Sequence, residues 1–329
     1  MGLIEKANKV YLENFPAETW FERAIFFSWY CGIRNCKFCY MSTQPGVKKS
    51  VRSIESLLAE VIICRKQGWK IGFISGGVGA FDKTKIFELI KTVNKITREG
   101  VWLNVGVLNE EQLKNFKPYL KGVVGSIETI NREVHEFVCP SKPIKPYIEM
   151  FKISNELNLK NAMTIILGLG ETKEDYLKLK EFINKNKIEK IHFYCLNPQK
   201  GTIFEKKKSP SAQYQAWWIA KTRIDFPKID IQCGIWRDKV DRISLLLKAG
   251  ANSISKFPAI KEFNSNYAIE IERQAKLAGR EFKGSLTRLH DADWDGEISK
   301  LNGNLKIKGK LEGYLEKMKK GGNTKIILP

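Results

Sequence analysis

Short apolar runs alternate along the chain with longer segments whose apolar positions recur at helical spacing. Residues 24–30, 70–74, 101–107, 122–127, 162–167, 190–196, 230–234 and 253–255 read as strands. Helical patterns lie between them, the first opening on Ser53 as a cap and running through Ile62. Others cover 83–96, 110–116, 145–157, 173–184, 213–222 and 239–249. Repeated β–α alternation implies a parallel sheet with right-handed crossovers. Eight such units predict an α/β fold of the (β/α) TIM type, a barrel full or partly open; a doubly wound open sheet is the alternative. Residues 1–23 read as an N-terminal helical lead, 24–263 as the barrel, and 264–329 as a C-terminal helical extension with a basic tail.

Composition narrows this picture. The chain has 329 residues and 43% hydrophobic content, which suits a packed globular protein and excludes a disordered one. No apolar run approaches the length of a membrane span, and the start lacks a signal-peptide core, so the expected location is the cytoplasm. The net charge of +20 favours an acidic partner, although a lysine-rich proteome accounts for it equally well. Only the stretch from Lys306 to Lys325 is dense in lysine. Charge alone also permits nucleic acid. Trp217, Trp218 and Trp236 could stack on bases, but they fall in patterns that carry core residues, which disfavours RNA binding.

Candidate chemistry concentrates in the cysteines. An odd count of seven in a large chain argues against a disulfide framework. Cys31, Cys36 and Cys39 form a C-x4-C-x2-C loop directly after the first strand. Three thiolates hold three irons of a cubane and leave the fourth open. Zinc competes, but a structural zinc needs four closed ligands and no histidine lies nearby. Cys64 reads as a core residue. Cys139, Cys195 and Cys233 fall after the fourth, sixth and seventh strands; they are either buried thiols or ligands of an auxiliary Fe–S cluster.

The cysteine loop, with Phe38 before its third cysteine, resembles that of radical S-adenosylmethionine (SAM) enzymes, whose usual spacing is one residue shorter. The resemblance covers about residues 24–257. It implies a [4Fe–4S] cluster on Cys31, Cys36 and Cys39, an electron donor, and SAM bound by Phe38, Ser75, Gly76, Gly77, Glu128, Gly168, Gly170 and Asn197 at strand ends. Val78 stands where the family has an acidic residue. The run from Lys248 to Ile254 is similar to one in biotin synthase and its relatives, but the third and fifth strands lack that enzyme's auxiliary cysteines. The chain therefore looks most like the biotin-synthase-related component of the archaeal two-protein lipoyl synthase. That likeness implies sulfur transfer from an auxiliary cluster on Cys139, Cys195 and Cys233 to an octanoyl chain. The partners would be an acidic lipoyl carrier protein or octanoylated peptide and a second radical SAM synthase. Arg237, Ser285, Arg288 and His290 are candidates for the cluster's fourth ligand. The competing functions are a radical SAM maturase or mutase without sulfur insertion, and a nucleic-acid-binding Fe–S protein.

Overall fold

The computed structural model of the protein describes residues 1–43, 50–300 and 303–321, so Lys325 of the lysine-dense stretch lies outside the described residues. The chain opens with helix α1 (Leu3–Asn14) and strand β1 (Glu18–Phe26). There follow α2 (Ile54–Gln67), β2 (Lys70–Ser75), α3 (Lys83–Thr97), β3 (Val101–Asn104), α4 (Glu110–Phe116) and β4 (Leu120–Glu128). Next come α5 (Arg132–Val138), α6 (Lys145–Glu156), β5 (Lys160–Leu167), α7 (Tyr176–Lys185), β6 (Ile188–Cys195), α8 (Ala212–Asp225), β7 (Asp230–Gly234), α9 (Ile243–Lys248) and β8 (Ser253–Ser255). Each strand from β2 to β8 pairs with the next, and β1 pairs in parallel with both β2 and β8. The sheet is thereby a closed, eight-stranded parallel barrel with helices around it, the TIM-type architecture that the β–α alternation predicts.

Helix limits follow local chemistry. The Ser53 hydroxyl accepts from Ser56 N at the start of α2, and Gly68, at φ 71°, ends it in a left-handed turn. The side chains of Asn109 and Gln112 close a capping box on α4.

Three features depart from the hydrophobic pattern. The first strand begins at Glu18, inside the segment read as a helical lead. Its charged residues hide it, because Glu22 points into the barrel and is fully paired there. Lys190 Nζ lies 2.7 and 2.8 Å from the two Glu22 carboxylate oxygens and 2.9 Å from Asp230 Oδ2. Burial would raise the Glu22 carboxyl, but Lys190 overcomes it and holds the group at about 2. Second, α5 is a short mixed-polarity helix capped by Asn131, in a stretch where the hydrophobic pattern predicts no element. Third, the C-terminal extension returns a strand to the sheet. After α10 (Asn266–Leu277), β9 (Glu281–Lys283) pairs in parallel with Glu18–Trp20 of β1. Helices α11 (Trp294–Ser299) and α12 (Leu305–Lys320) follow, and α12 packs on α2, where the Tyr314 hydroxyl meets Ser56 Oγ at 2.6 Å.

The barrel interior is filled. Phe73, Trp102, Val124 and Ala162 form one buried layer with Ala24, and the His192 ring stands edge-on to Phe73. Burial, then Lys190, push His192 down to about 3, so the ring is neutral at ordinary pH. Among the described residues no helix is long and apolar enough to cross a membrane.

Candidate active site at the C-terminal mouth of the barrel

The cysteine loop leaves the end of β1 and folds across the C-terminal ends of the strands. Its thiols at Cys31, Cys36 and Cys39 line a cavity of about 230 Å³ together with Phe38, Ser75, Gly76, Gly77 and Glu128. The turn after β2 is stitched to this loop. Phe27 N donates to Ser75 O at 2.8 Å, and Gly32 N donates to Val78 O at 2.7 Å. A Cβ on Gly77 would stand 1.7 Å from Tyr30 O and 2.6 Å from Cys31 Cα. Glycine is required there because the turn presses on the loop itself, not only on a ligand.

Behind the loop stands the segment that follows α5. Lys37 N donates to Val138 O at 2.8 Å, and Cys139 packs with Val138, Leu169, Leu196 and Phe204 beneath Cys36 and Phe38. Cys139 hydrogen-bonds to Cys36; that bond lowers the Cys36 thiol below its ordinary value and, with burial, raises Cys139. Burial pushes Cys39 up to about 11.

Glu128 ends β4 at φ 65°, a left-handed conformation uncommon outside glycine and frequent at functional positions. Its Oε1 accepts from Lys142 Nζ at 2.5 Å and its Oε2 from Thr164 Oγ1 at 3.4 Å. Burial opposes the charge on Lys142, yet Glu128 outweighs it and the ammonium is held above its usual range. The His135 ring nitrogens lie 2.9 Å from Ile127 O and 2.7 Å from Lys142 O, which ties the Lys142 loop to β4.

The remaining sequence candidates are elsewhere. Gly168 and Gly170, at φ 97° and 141°, belong to a turn closed on Glu171, whose carboxylate accepts from the amides of Gly168, Leu169 and Gly170 at 2.6, 3.0 and 3.2 Å. That turn and Asn197 lie off the cavity wall, which β5 reaches through Thr164 and Ile166. Cys195 and Cys233 face the outer helices. On β6, His192 and Tyr194 take the inward positions, so Cys195 points outward, 4.0 Å from Arg242 Nη1. On β7, Gln232 faces in and bonds to His192, which turns Cys233 to the outer layer, its thiol on Ser253 O at 3.4 Å. Cys139, Cys195 and Cys233 therefore do not converge inside the barrel, and strand alternation overturns that expectation.

The candidates for a fourth ligand are likewise remote or engaged. Arg237 pairs with Glu262 at 2.9 Å. Ser285, Arg288 and His290 contact Gln67, ahead of β2 and at the opposite end of the barrel. Sequence reasoning missed Lys142, Tyr194 and Lys256, which line the cavity. Position was their available signal, because Tyr194 and Lys256 fall at C-terminal strand ends, where barrel enzymes build their sites.

The donor chemistry fits an Fe–S cubane with one open iron. Three free thiols from one loop share one cavity wall, and a glycine turn braces their backbone. Among the described residues no three His, Cys, Asp or Glu side chains stand close enough together to hold a metal ion, the three loop thiols included. The sequence profile of the radical SAM superfamily matches residues 30–183, which contain this whole loop. Residues 30–183 of the chain belong to the radical SAM superfamily.

Relatives of this radical SAM chain include an uncharacterized protein of Methanocaldococcus jannaschii, 40% identical over 287 residues, or 86% of this chain and 79% of that one. The biotin synthase of Methanococcus maripaludis is 27% identical over 181 residues, 53% of this chain and 55% of its own length, so the chain spans about half of that relative. The crystal structure of methylornithine synthase shares the fold with a TM-score of 0.70 at 17% identity, covering 85% of this chain and 88% of that one.

Proposed function

We propose that this radical SAM enzyme abstracts hydrogen from a small substrate held inside the barrel mouth, with no second cluster on Cys139, Cys195 and Cys233. The observation that carries this reading is the cavity in which Cys31, Cys36 and Cys39 face Ser75, Gly77 and Glu128. A [4Fe–4S] cluster and SAM, when bound, supply one-electron cleavage to methionine and a 5′-deoxyadenosyl radical. Cys31, Cys36 and Cys39 would hold that cluster. Gly77 fixes the loop's backbone, and Cys139 and Phe38 pack its underside. The buried Glu128–Lys142 pair, with Ser75, Asn104, Ser126 and Thr164 on the same wall, presents hydrogen-bonding groups toward a polar ligand. The filled barrel interior excludes water from the floor, which protects a reactive carbon centre.

Iron, sulfide and 5′-deoxyadenosine analysis after anaerobic reconstitution tests this. We expect about four irons per chain and SAM cleavage that Cys36→Ala abolishes. Undiminished cleavage in that variant sinks the reading.

A second reading is sulfur insertion into an octanoyl chain, as a component of a two-protein lipoyl synthase. The likeness to biotin synthase favours it, and the +20 charge suits an acidic carrier. With Cys195 and Cys233 facing outward, the sulfur would come from a cluster on the second synthase. Thiolated product from an octanoylated peptide with this chain alone would count against the first reading.

A further inference from the structure

Among the described residues, one cation on the cavity wall has no carboxylate paired with it. Lys256 follows β8 at φ 70° and lines the cavity beside the cysteine loop. Its Nζ lies 4.6 Å from the centre of the Tyr194 ring and 5.8 Å from that of Trp236. Among the described residues no carboxylate comes within ion-pair distance of it. The other lysine on this wall, Lys142, is already committed to Glu128. The acidic groups that act on Lys256 from a distance are Glu128 and Cys39, and burial dominates over both to lower its ammonium. Beside it, the buried hydroxyls of Tyr194 and Ser255 are neighbours that make no well-formed hydrogen bond.

A half-buried ammonium held over two aromatic faces, beside unsatisfied hydroxyl donors, is a costly arrangement without an anion to complete it. We propose that Lys256 anchors a carboxylate of the second substrate, the molecule that gives up hydrogen, with the Tyr194 hydroxyl as an additional donor. The assignment to the second substrate follows from position. The residues that the superfamily resemblance gives to SAM lie on the cysteine loop and after β2, β4, β5 and β6, whereas Lys256 follows β8. The role as substrate anchor rests on the function proposed above; the presence of an anion site at Lys256 does not. The inference separates substrate classes, because an octanoyl amide is neutral and gives Lys256 no partner.

Full-length, anaerobically reconstituted protein is treated with limiting acetic anhydride, and acetylation of Lys256 is followed by mass spectrometry, with exposed Lys83 as the control. Hexanoate or pimelate, at about ten times its dissociation constant, should slow modification of Lys256 about tenfold by occupancy and leave Lys83 unchanged. Hexanamide should not protect. Equilibrium dialysis with radiolabelled hexanoate should show binding lost in Lys256→Met and kept in Lys256→Arg, with SAM affinity equal in all three proteins. Equal protection by hexanamide, no protection by either carboxylate, or weakened SAM binding in Lys256→Met overturns the assignment. Formation of 5′-deoxyadenosine by the wild-type protein is scored separately; its absence would refute the radical reading and leave the anion site standing.

Discussion

Lys142 Nζ lies 2.5 Å from Glu128 Oε1, and both side chains are buried in the wall of the cysteine-lined cavity. A buried pair is costly to break from one side, because the survivor keeps its charge without a partner. Glu128→Gln or Lys142→Met should therefore each lower stability by about 3–5 kcal/mol. The double variant should cost less than the sum of the two. Urea unfolding of the three proteins measures the coupling; strict additivity would show that the two charges act independently.

The outward placement of Cys195 and Cys233 makes a compositional prediction. Cys195→Ala and Cys233→Ala should retain the iron and sulfide content of the wild type after reconstitution. Cys31→Ala, Cys36→Ala and Cys39→Ala should not. A selective loss of iron in Cys195→Ala would restore a cluster outside the cysteine loop.

Gly77→Ala forces a methyl group into the backbone at Tyr30 and Cys31. The loop must shift, because the obstacle is main chain rather than a side chain that can rotate. We expect a stability loss of about 1–3 kcal/mol and a larger fractional loss of bound iron. Gly79→Ala supplies the comparison: no atom lies near its Cβ, although its φ of 76° brings backbone strain. Equal iron content in the two variants would remove the bracing role assigned to Gly77.

Stability should fall as pH drops from neutral, in two overlapping windows. His192 has its folded value depressed to about 3 from 6.5. Its contribution is complete above 6.5 and is lost toward 3, as the unfolded chain takes up a proton that the native barrel refuses. Glu22 is depressed to about 2 from 4.5, so its contribution is complete above 4.5 and is lost toward 2. Both act in the same direction. His192→Gln should flatten the slope of unfolding free energy between pH 6.5 and 4.5, measured by urea titration at fixed ionic strength. An unchanged slope would assign that window to other groups.

Strand β5 is legible because Ala162–Leu167 is a nearly continuous apolar run, the mark of a parallel strand buried on both faces. Strand β1 is harder to see. Glu18, Glu22 and Arg23 break the run, and Glu22 is tolerated inside only because Lys190, distant in sequence, meets it. The cysteine loop and the glycines after β2 are readable from local spacing. The facing of Cys195 and Cys233 needs strand phase, which a one-residue shift inverts. Lys142 could not be assigned from sequence because its meaning comes from Glu128 across an intervening helix. Lys256 carries no motif and is informative only once the barrel shows that no carboxylate of the described residues pairs with it.

The layer of Phe73, Trp102, Val124 and Ala162, with the ion cluster of Glu22, Lys190 and Asp230 beyond it, makes the barrel a blind vessel. Among the described residues, the cavity opens at the end that the cysteine loop overhangs. A ligand seated at the closed end of such a vessel is enclosed by any molecule that follows it in, so depth in the cavity sets the sequence in which two occupants can be loaded.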